Sequence, residues 1–140
     1  MNAKYFIDTN IFVYSFDNSQ PIKKERSLGL IQDSLRTGMG MISTQVIQEF
    51  LNVAIHKFAV PMKIEDAREY LRVVMNPLCQ VYPDLALYEG CLELQAETGY
   101  SFYDSLILAA AIRGGCDVLY SEDLQDGQEV RGVMIINLYQ

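Results

Sequence analysis

The chain has 140 residues, 50% of them hydrophobic, a net charge of −7 and three cysteines. That length suits one domain whose core needs no disulfides, and the acidic balance argues against nucleic-acid binding through a broad basic face. It leaves a nuclease open, because part of the negative surplus can be a carboxylate cluster that metal ions neutralise. Cys79, Cys91 and Cys116 are scattered, with no CxxC or Cys/His spacing, so neither a zinc site nor a disulfide framework is expected. Reduced thiols in a cytoplasmic protein are the plain reading. No signal peptide is read, and no apolar run reaches the ~20 residues of a membrane span.

Tyr5-Phe6-Ile7 leads straight into Asp8-Thr9-Asn10. An apolar run without alternation suits a strand buried on both faces of a parallel sheet. Ligands of open α/β sheets gather beyond the carboxyl ends of the strands, where Asp8 would sit. Ile11 to Tyr14 extends the apolar character, and Asp17-Asn18-Ser19-Gln20 reads as a turn. Pro21 opens a helix to about Arg36, with Leu28, Ile31 and Leu35 at helical spacing, Lys23, Lys24 and Arg26 on a solvated face, and Gly38 and Gly40 as the stop. Met41-Ile42 is a second strand, and Ser43 or Thr44 caps the helix that follows it. In that helix, Gln45 to His56, Glu49 falls at the border of the apolar face, roughly 40° outside Val53. His56 has no Cys or His partner at ligand spacing and reads as surface.

Val60-Pro61 breaks this helix. Another runs from Ile64 to Met75 and ends at Asn76-Pro77, and Leu78 to Tyr82 is a third strand. Pro83-Asp84 starts a helix that Gly99 stops. Glu89, Glu93 and Glu97 share one face of it, no basic residue accompanies them there, and they read as solvated surface. Ser101 and Asp104 fit a capping box that opens a buried helix through Ile112. Capping and metal binding therefore compete for the Asp104 carboxylate. Asp117 to Tyr120 is a fourth strand, running into Ser121-Glu122-Asp123. Gly127 and Gly132 bracket a polar loop, and Val133 to Asn137 is the last strand. Strands alternating with helices give an α/β protein, a central parallel β-sheet flanked by α-helices, as one domain over residues 1–140.

Four carboxylates occupy comparable places in this scheme: Asp8, Glu49, Asp104 and Asp123. If they gather at one sheet edge they repel one another, at a cost that an intervening cation removes. Mg²⁺ or Mn²⁺ suits all-oxygen ligands and serves phosphodiester chemistry. Asn10, Ser43 and Thr44 would steady waters or phosphate oxygens.

The blocks Ile7-Asp8-Thr9-Asn10, Ile42 to Phe50, Ser101 to Ile107 with its alanine run, and Leu119 to Leu124, in that order, resemble the PIN-domain family of metal-dependent ribonucleases, and within it the VapC-like toxins of toxin–antitoxin pairs. The resemblance spans essentially the whole chain. It implies that Asp8, Glu49, Asp104 and Asp123 form the acidic metal-binding and catalytic set, with Asp126 as an outer helper. It also implies cleavage of RNA, a homodimer and inhibition by a small antitoxin. Tyr103 stands where the family often has Trp or another aromatic residue. Two other readings compete. A phosphatase of the aspartate-nucleophile type would need a second Asp where this chain has Asn10. An inactive domain that binds RNA or a protein partner fits poorly with all four acidic positions being filled.

Overall fold

Strand β1 (Tyr5–Ile7) is completely enclosed, with Phe6 and Ile7 at 0% exposure, because it lies in the middle of the sheet. The computed structural model describes residues 3–140. After β1 come α1 (Thr9–Tyr14), α2 (Pro21–Thr37), β2 (Gly40–Ser43), α3 (Thr44–His56) and α4 (Ile64–Tyr70). A π-helical turn (Leu71–Met75) joins α4 to the short α5 (Asn76–Leu78). Then follow β3 (Cys79–Val81), α6 (Leu85–Thr98), α7 (Phe102–Arg113), β4 (Val118–Tyr120), β5 (Glu129–Val130) and β6 (Val133–Ile136).

The sheet order is β3-β2-β1-β4-β6-β5, parallel throughout except for β5 on β6. The chain winds outward from β1 through β2 to β3, then returns to the other side of β1 with β4. The switch point therefore lies between β1 and β4, and in open sheets of this kind that crevice is where ligands bind. Helices α2 and α7 pack on the sheet, α6 packs on α7, and α1 packs on α3. Phe12, Phe50, Leu108, Leu119 and Ile135 fill the core at 0% exposure.

Ile11 to Tyr14, apolar in the sequence, belongs to helix α1, which Asp8 caps by accepting from Thr9 N. Three expectations need correcting. On α2, the fully buried positions beside Ile31 are Ser27 and Ser34, while Leu28 and Leu35 are exposed. The reason lies far off in sequence: Ser34 Oγ meets Tyr5 OH at 3.0 Å and Ser27 Oγ meets Tyr139 OH at 2.7 Å. The helix expected to end at Met75 continues through the π-turn to Leu78. Pro77 has no N–H to give to residue 73, and the turn ahead of it widens. Lastly, the loop between Gly127 and Gly132 contains β5, which hairpins onto β6; both glycines have φ of 85°, the left-handed region that a side chain disfavours.

The acidic row of α6 is not wholly solvated either. Arg131 stands 3.3 Å from Glu97 and 3.9 Å from Glu93. His56 is exposed. The three cysteines are free and buried. Among the described residues, no helix is long and apolar enough to cross a membrane.

Candidate active site

The switch-point crevice opens into a cleft of about 310 Å³. Asp8, Glu49, Asp104 and Asp123 all line it, together with Thr9, Asn10, Gln45 and Tyr103. Each carboxylate arrives from a different element. Asp8 follows β1, Glu49 sits in the second turn of α3, Asp104 in the first turn of α7, and Asp123 in the loop after β4.

Asp8 is 6% exposed. It accepts from Thr9 N at 2.7 Å through one oxygen and from Ser121 Oγ at 2.7 Å through the other. Thr9 Oγ1 donates to Glu49 Oε1, and Gln45 Nε2 donates to Glu49 Oε2 at 3.2 Å. Asn10 Nδ2 donates to Asp123 Oδ2 at 3.0 Å. The tripeptide Asp8-Thr9-Asn10 thus supplies one carboxylate and grips two others. The loop that carries Asp123 is anchored through its neighbour Glu122, which accepts from Tyr14 OH at 2.6 Å and from Lys23 Nζ at 3.2 Å. At α7, Ser101 Oγ accepts from Asp104 N at 3.2 Å, so Ser101 caps the helix while the Asp104 side chain lines the cleft. Capping uses the backbone N–H of Asp104 and leaves its carboxylate at the cleft.

The electrostatics register the crowding. Burial pushes Asp8 up to about 7; the Ser121 and Thr9 hydrogen bonds oppose this, and the Asp123 and Glu49 carboxylates add to it. Asp123 is raised by partial desolvation at the cleft wall, then by Asp104, Glu122 and Glu49. Among the described residues, no three Asp, Glu, His or Cys side chains converge closely enough to ligate one ion by themselves. The donor set still suits a hard divalent cation. It is all oxygen, and Mg²⁺ characteristically keeps several waters and takes one or two carboxylates plus substrate oxygens. A cation would also relieve the repulsion that raises Asp8 and Asp123.

Three residues expected near this site lie elsewhere. Ser43 and Thr44 line a separate small cavity, and Ser43 makes no side-chain capping bond to α3. Asp126 accepts from Asn137 N at 2.7 Å and ties its loop to the end of β6. Other residues of the site went unnoticed in the sequence. Thr9 and Gln45 hold Glu49, and Ser121 holds Asp8. Lys57, the one basic residue among those lining the cleft, lies just past the end of α3, where nothing local marks it. The first three at least flank the four acidic positions within the conspicuous blocks.

The sequence profile of the PIN domain matches residues 5–126. No curated protein sequence matches the chain. Among solved structures, it is similar to a chain of a toxin–antitoxin complex from Klebsiella pneumoniae, at 17% identity and a TM-score of 0.69, covering 98% of this chain and 99% of that one. It is also similar to VapC20 of Mycobacterium tuberculosis, a toxin that cleaves the sarcin–ricin loop, at 16% identity and a TM-score of 0.58, covering 84% and 88%.

Proposed function

Because the chain belongs to the PIN-domain family, we propose that it is a metal-dependent endoribonuclease and the toxin of a toxin–antitoxin pair. The observation that carries the reading is the meeting of Asp8, Glu49, Asp104 and Asp123 in one cleft at the switch point of the sheet. A bound Mg²⁺ or Mn²⁺ would supply electrostatic stabilisation of the scissile phosphate and activation of the attacking water. One or two of Asp8, Glu49, Asp104 and Asp123 would hold it directly, and the others would reach it through its waters.

The chain's own residues prepare that event. Thr9, Gln45 and Ser121 fix Glu49 and Asp8 in place, which limits the reorganisation needed at reaction. Lys57 meets RNA phosphate at the mouth of the cleft, and Tyr103, 64% exposed, offers a face on which a base stacks. Asn10 orients Asp123.

The toxin role, with a small antitoxin protein as partner, is supported by the likeness of fold to the Klebsiella complex and to VapC20. A homodimer is supported by an exposed apolar stripe, Leu85 at 81% and Leu92 at 56%, two turns apart on the same face of α6. A cytoplasmic setting agrees with three unpaired cysteines. The test is cleavage of RNA by purified protein in Mn²⁺. Asp8→Asn and Asp104→Asn abolish it while far-ultraviolet circular dichroism stays native. Wild-type cleavage by Asp8→Asn overturns the assignment. For the toxin role, expression of the chain alone arrests growth, and co-expression with its antitoxin restores it.

A further inference from the structure

Next to the acidic cleft lies a smaller cavity of about 60 Å³, lined by Ser43, Gln45, Pro83, Leu87, Tyr88 and Leu106 among others. Two oxygens of its lining residues, Ser43 Oγ and Gln45 Oε1, are buried with no hydrogen-bond partner. Their residues are 3% and 7% exposed. Native structures leave few such groups unpaired, and each one calls for an explanation.

The backbone arrangement frees these atoms. Ser43 is the N-cap of α3, where a serine oxygen ordinarily accepts from the first turn, yet it makes no such bond, while Ser101 at the start of α7 does. The pairing of β2 with β3 shifts between Ile42 and Ser43, an irregularity of the kind that re-aims a side chain. Gln45 is held from the other side. Its Nε2 donates to Glu49 and to Tyr103 O, both at the cleft, so Oε1 faces away from them. Gln45 is thus the wall between the two spaces, lining both.

We propose that this cavity receives the hydrogen-bonding edge of a nucleobase from the RNA strand whose scissile phosphate occupies the acidic cleft, an inference that rests on the ribonuclease reading. The chemistry selects the ligand. Gln45 Oε1 accepts only, and the Ser43 hydroxyl both donates and accepts. Their partner therefore presents an N–H or NH₂ beside an acceptor, as a base edge does. A phosphate or carboxylate would set its oxygens against the Gln45 lone pairs. Pro83, Leu87 and Leu106 give apolar walls that suit ring faces. The volume admits a few water-sized atoms, enough for an edge but not a whole base. The rest of the ring stays at the mouth, where Tyr88, 38% exposed, offers a stacking face.

The test uses the full chain as wild type, Ser43→Ala and Tyr88→Ala, cutting a random-sequence single-stranded RNA pool in Mn²⁺, with the new ends sequenced. Binding of the same pool is measured on Asp8→Asn protein with and without each change, and the oligomeric state by sedimentation. Wild type shows a base preference at one position beside the cut. Ser43→Ala flattens that preference by about five- to thirtyfold, in cleavage and in binding, and Tyr88→Ala weakens binding. Tyr88 lies at the surface, so its variant decides the matter if Ser43→Ala does not fold. Wild-type preference in both variants overturns the inference and leaves the ribonuclease intact. Altered dimerisation with an unchanged preference assigns the cavity to a second copy and also overturns it. If wild type cuts nothing, the ribonuclease reading falls, and the binding arm alone upholds or overturns the base pocket.

Discussion

Replacing Asp8 with Asn should stabilise the metal-free protein at alkaline pH while removing its activity. Asp8 is buried, and its proton affinity is raised from the ordinary 3.8 to about 7. Between those two values the native state holds a proton that the unfolded chain has released, so stability falls as pH rises through that window. The difference between those two values corresponds to a ceiling of about 4 kcal/mol. The introduced amide carries no charge but keeps just one acceptor oxygen, so it loses either the Ser121 or the Thr9 bond, at about 1 kcal/mol. The net gain at pH 8 is therefore about 2–3 kcal/mol, or about 6–9 °C at about 3 °C per kcal/mol for a domain of this size. At pH 4.5 the remaining charge penalty is about 1 kcal/mol and cancels the lost bond. Thermal denaturation of both proteins in EDTA at pH 4.5, 6 and 8 reads the difference, and titrations shared by the two cancel. A variant less stable than wild type at pH 8, or a difference that does not change with pH, refutes the account of Asp8 as a buried carboxylate under strain. Excess Mn²⁺ should raise the melting temperature of wild type and leave Asp8→Asn unmoved.

Four further outcomes are expected. Mn²⁺ binding to wild type releases more protons at pH 6 than at pH 8, because the cation displaces the proton that Asp8 still holds at the lower pH; calorimetry in buffers of different ionisation enthalpy measures it. Thr9→Val leaves Glu49 held by Gln45 alone and raises the Mn²⁺ concentration needed for half-maximal cleavage by about 10- to 100-fold, without a change in circular dichroism. Lys57→Ala weakens RNA binding and reduces its salt dependence by about one unit of log–log slope, read by anisotropy across a salt series. Gly40→Ala destabilises by roughly 2 kcal/mol in urea, because the new Cβ would lie 2.1 Å from Ser34 Oγ and 2.6 Å from a Tyr5 ring carbon, both fixed in the core.

The elements legible in the sequence are those whose signals are local. Pro21 and Gly38 bracket α2, Asp84 and Gly99 bracket α6, and Ser101 opens α7, each through its own backbone chemistry. The parallel β1 reads as apolar because both its faces are covered. What escapes is decided at a distance. Ile11-Phe12-Val13-Tyr14 favours a strand by propensity, yet the Asp8 cap and the packing of Phe12 against Phe50 make it a helix. Ser27 and Ser34 are buried because tyrosines from the two ends of the chain reach them, and helical spacing alone points to the neighbouring leucines instead. Strand β5 is two residues long and half polar, too short to carry a period. The same division runs through the site. Asp8, Asp104 and Asp123 stand at the ends of predictable elements and Glu49 one turn into α3, so their cleft follows from topology. Ser43 and Asp126 differ because a shift in strand pairing turns one toward another cavity and a backbone N–H captures the other.

The organisation of the site also explains what so short a stretch as Asp8-Thr9-Asn10, a weak signal on its own, contributes to it. In α1 those residues are the N-cap and the first turn, so their side chains fan out from one point. One accepts from the chain itself, the next donates to a carboxylate on α3, and the third donates to a carboxylate in the loop after β4. Donors at positions two and three are needed because Glu49 and Asp123 would otherwise face Asp8 with no cation present. Replacing Thr9 or Asn10 with an acidic residue would add repulsion where the fold now has a hydrogen bond, so Asn10→Asp should raise the proton affinities of Asp8 and Asp123 further and make folding more dependent on divalent cation. Denaturation of Asn10→Asp in EDTA and in Mn²⁺ tests this: the gap between the two midpoints widens relative to wild type, and an unchanged gap would show that the tripeptide does not couple these carboxylates.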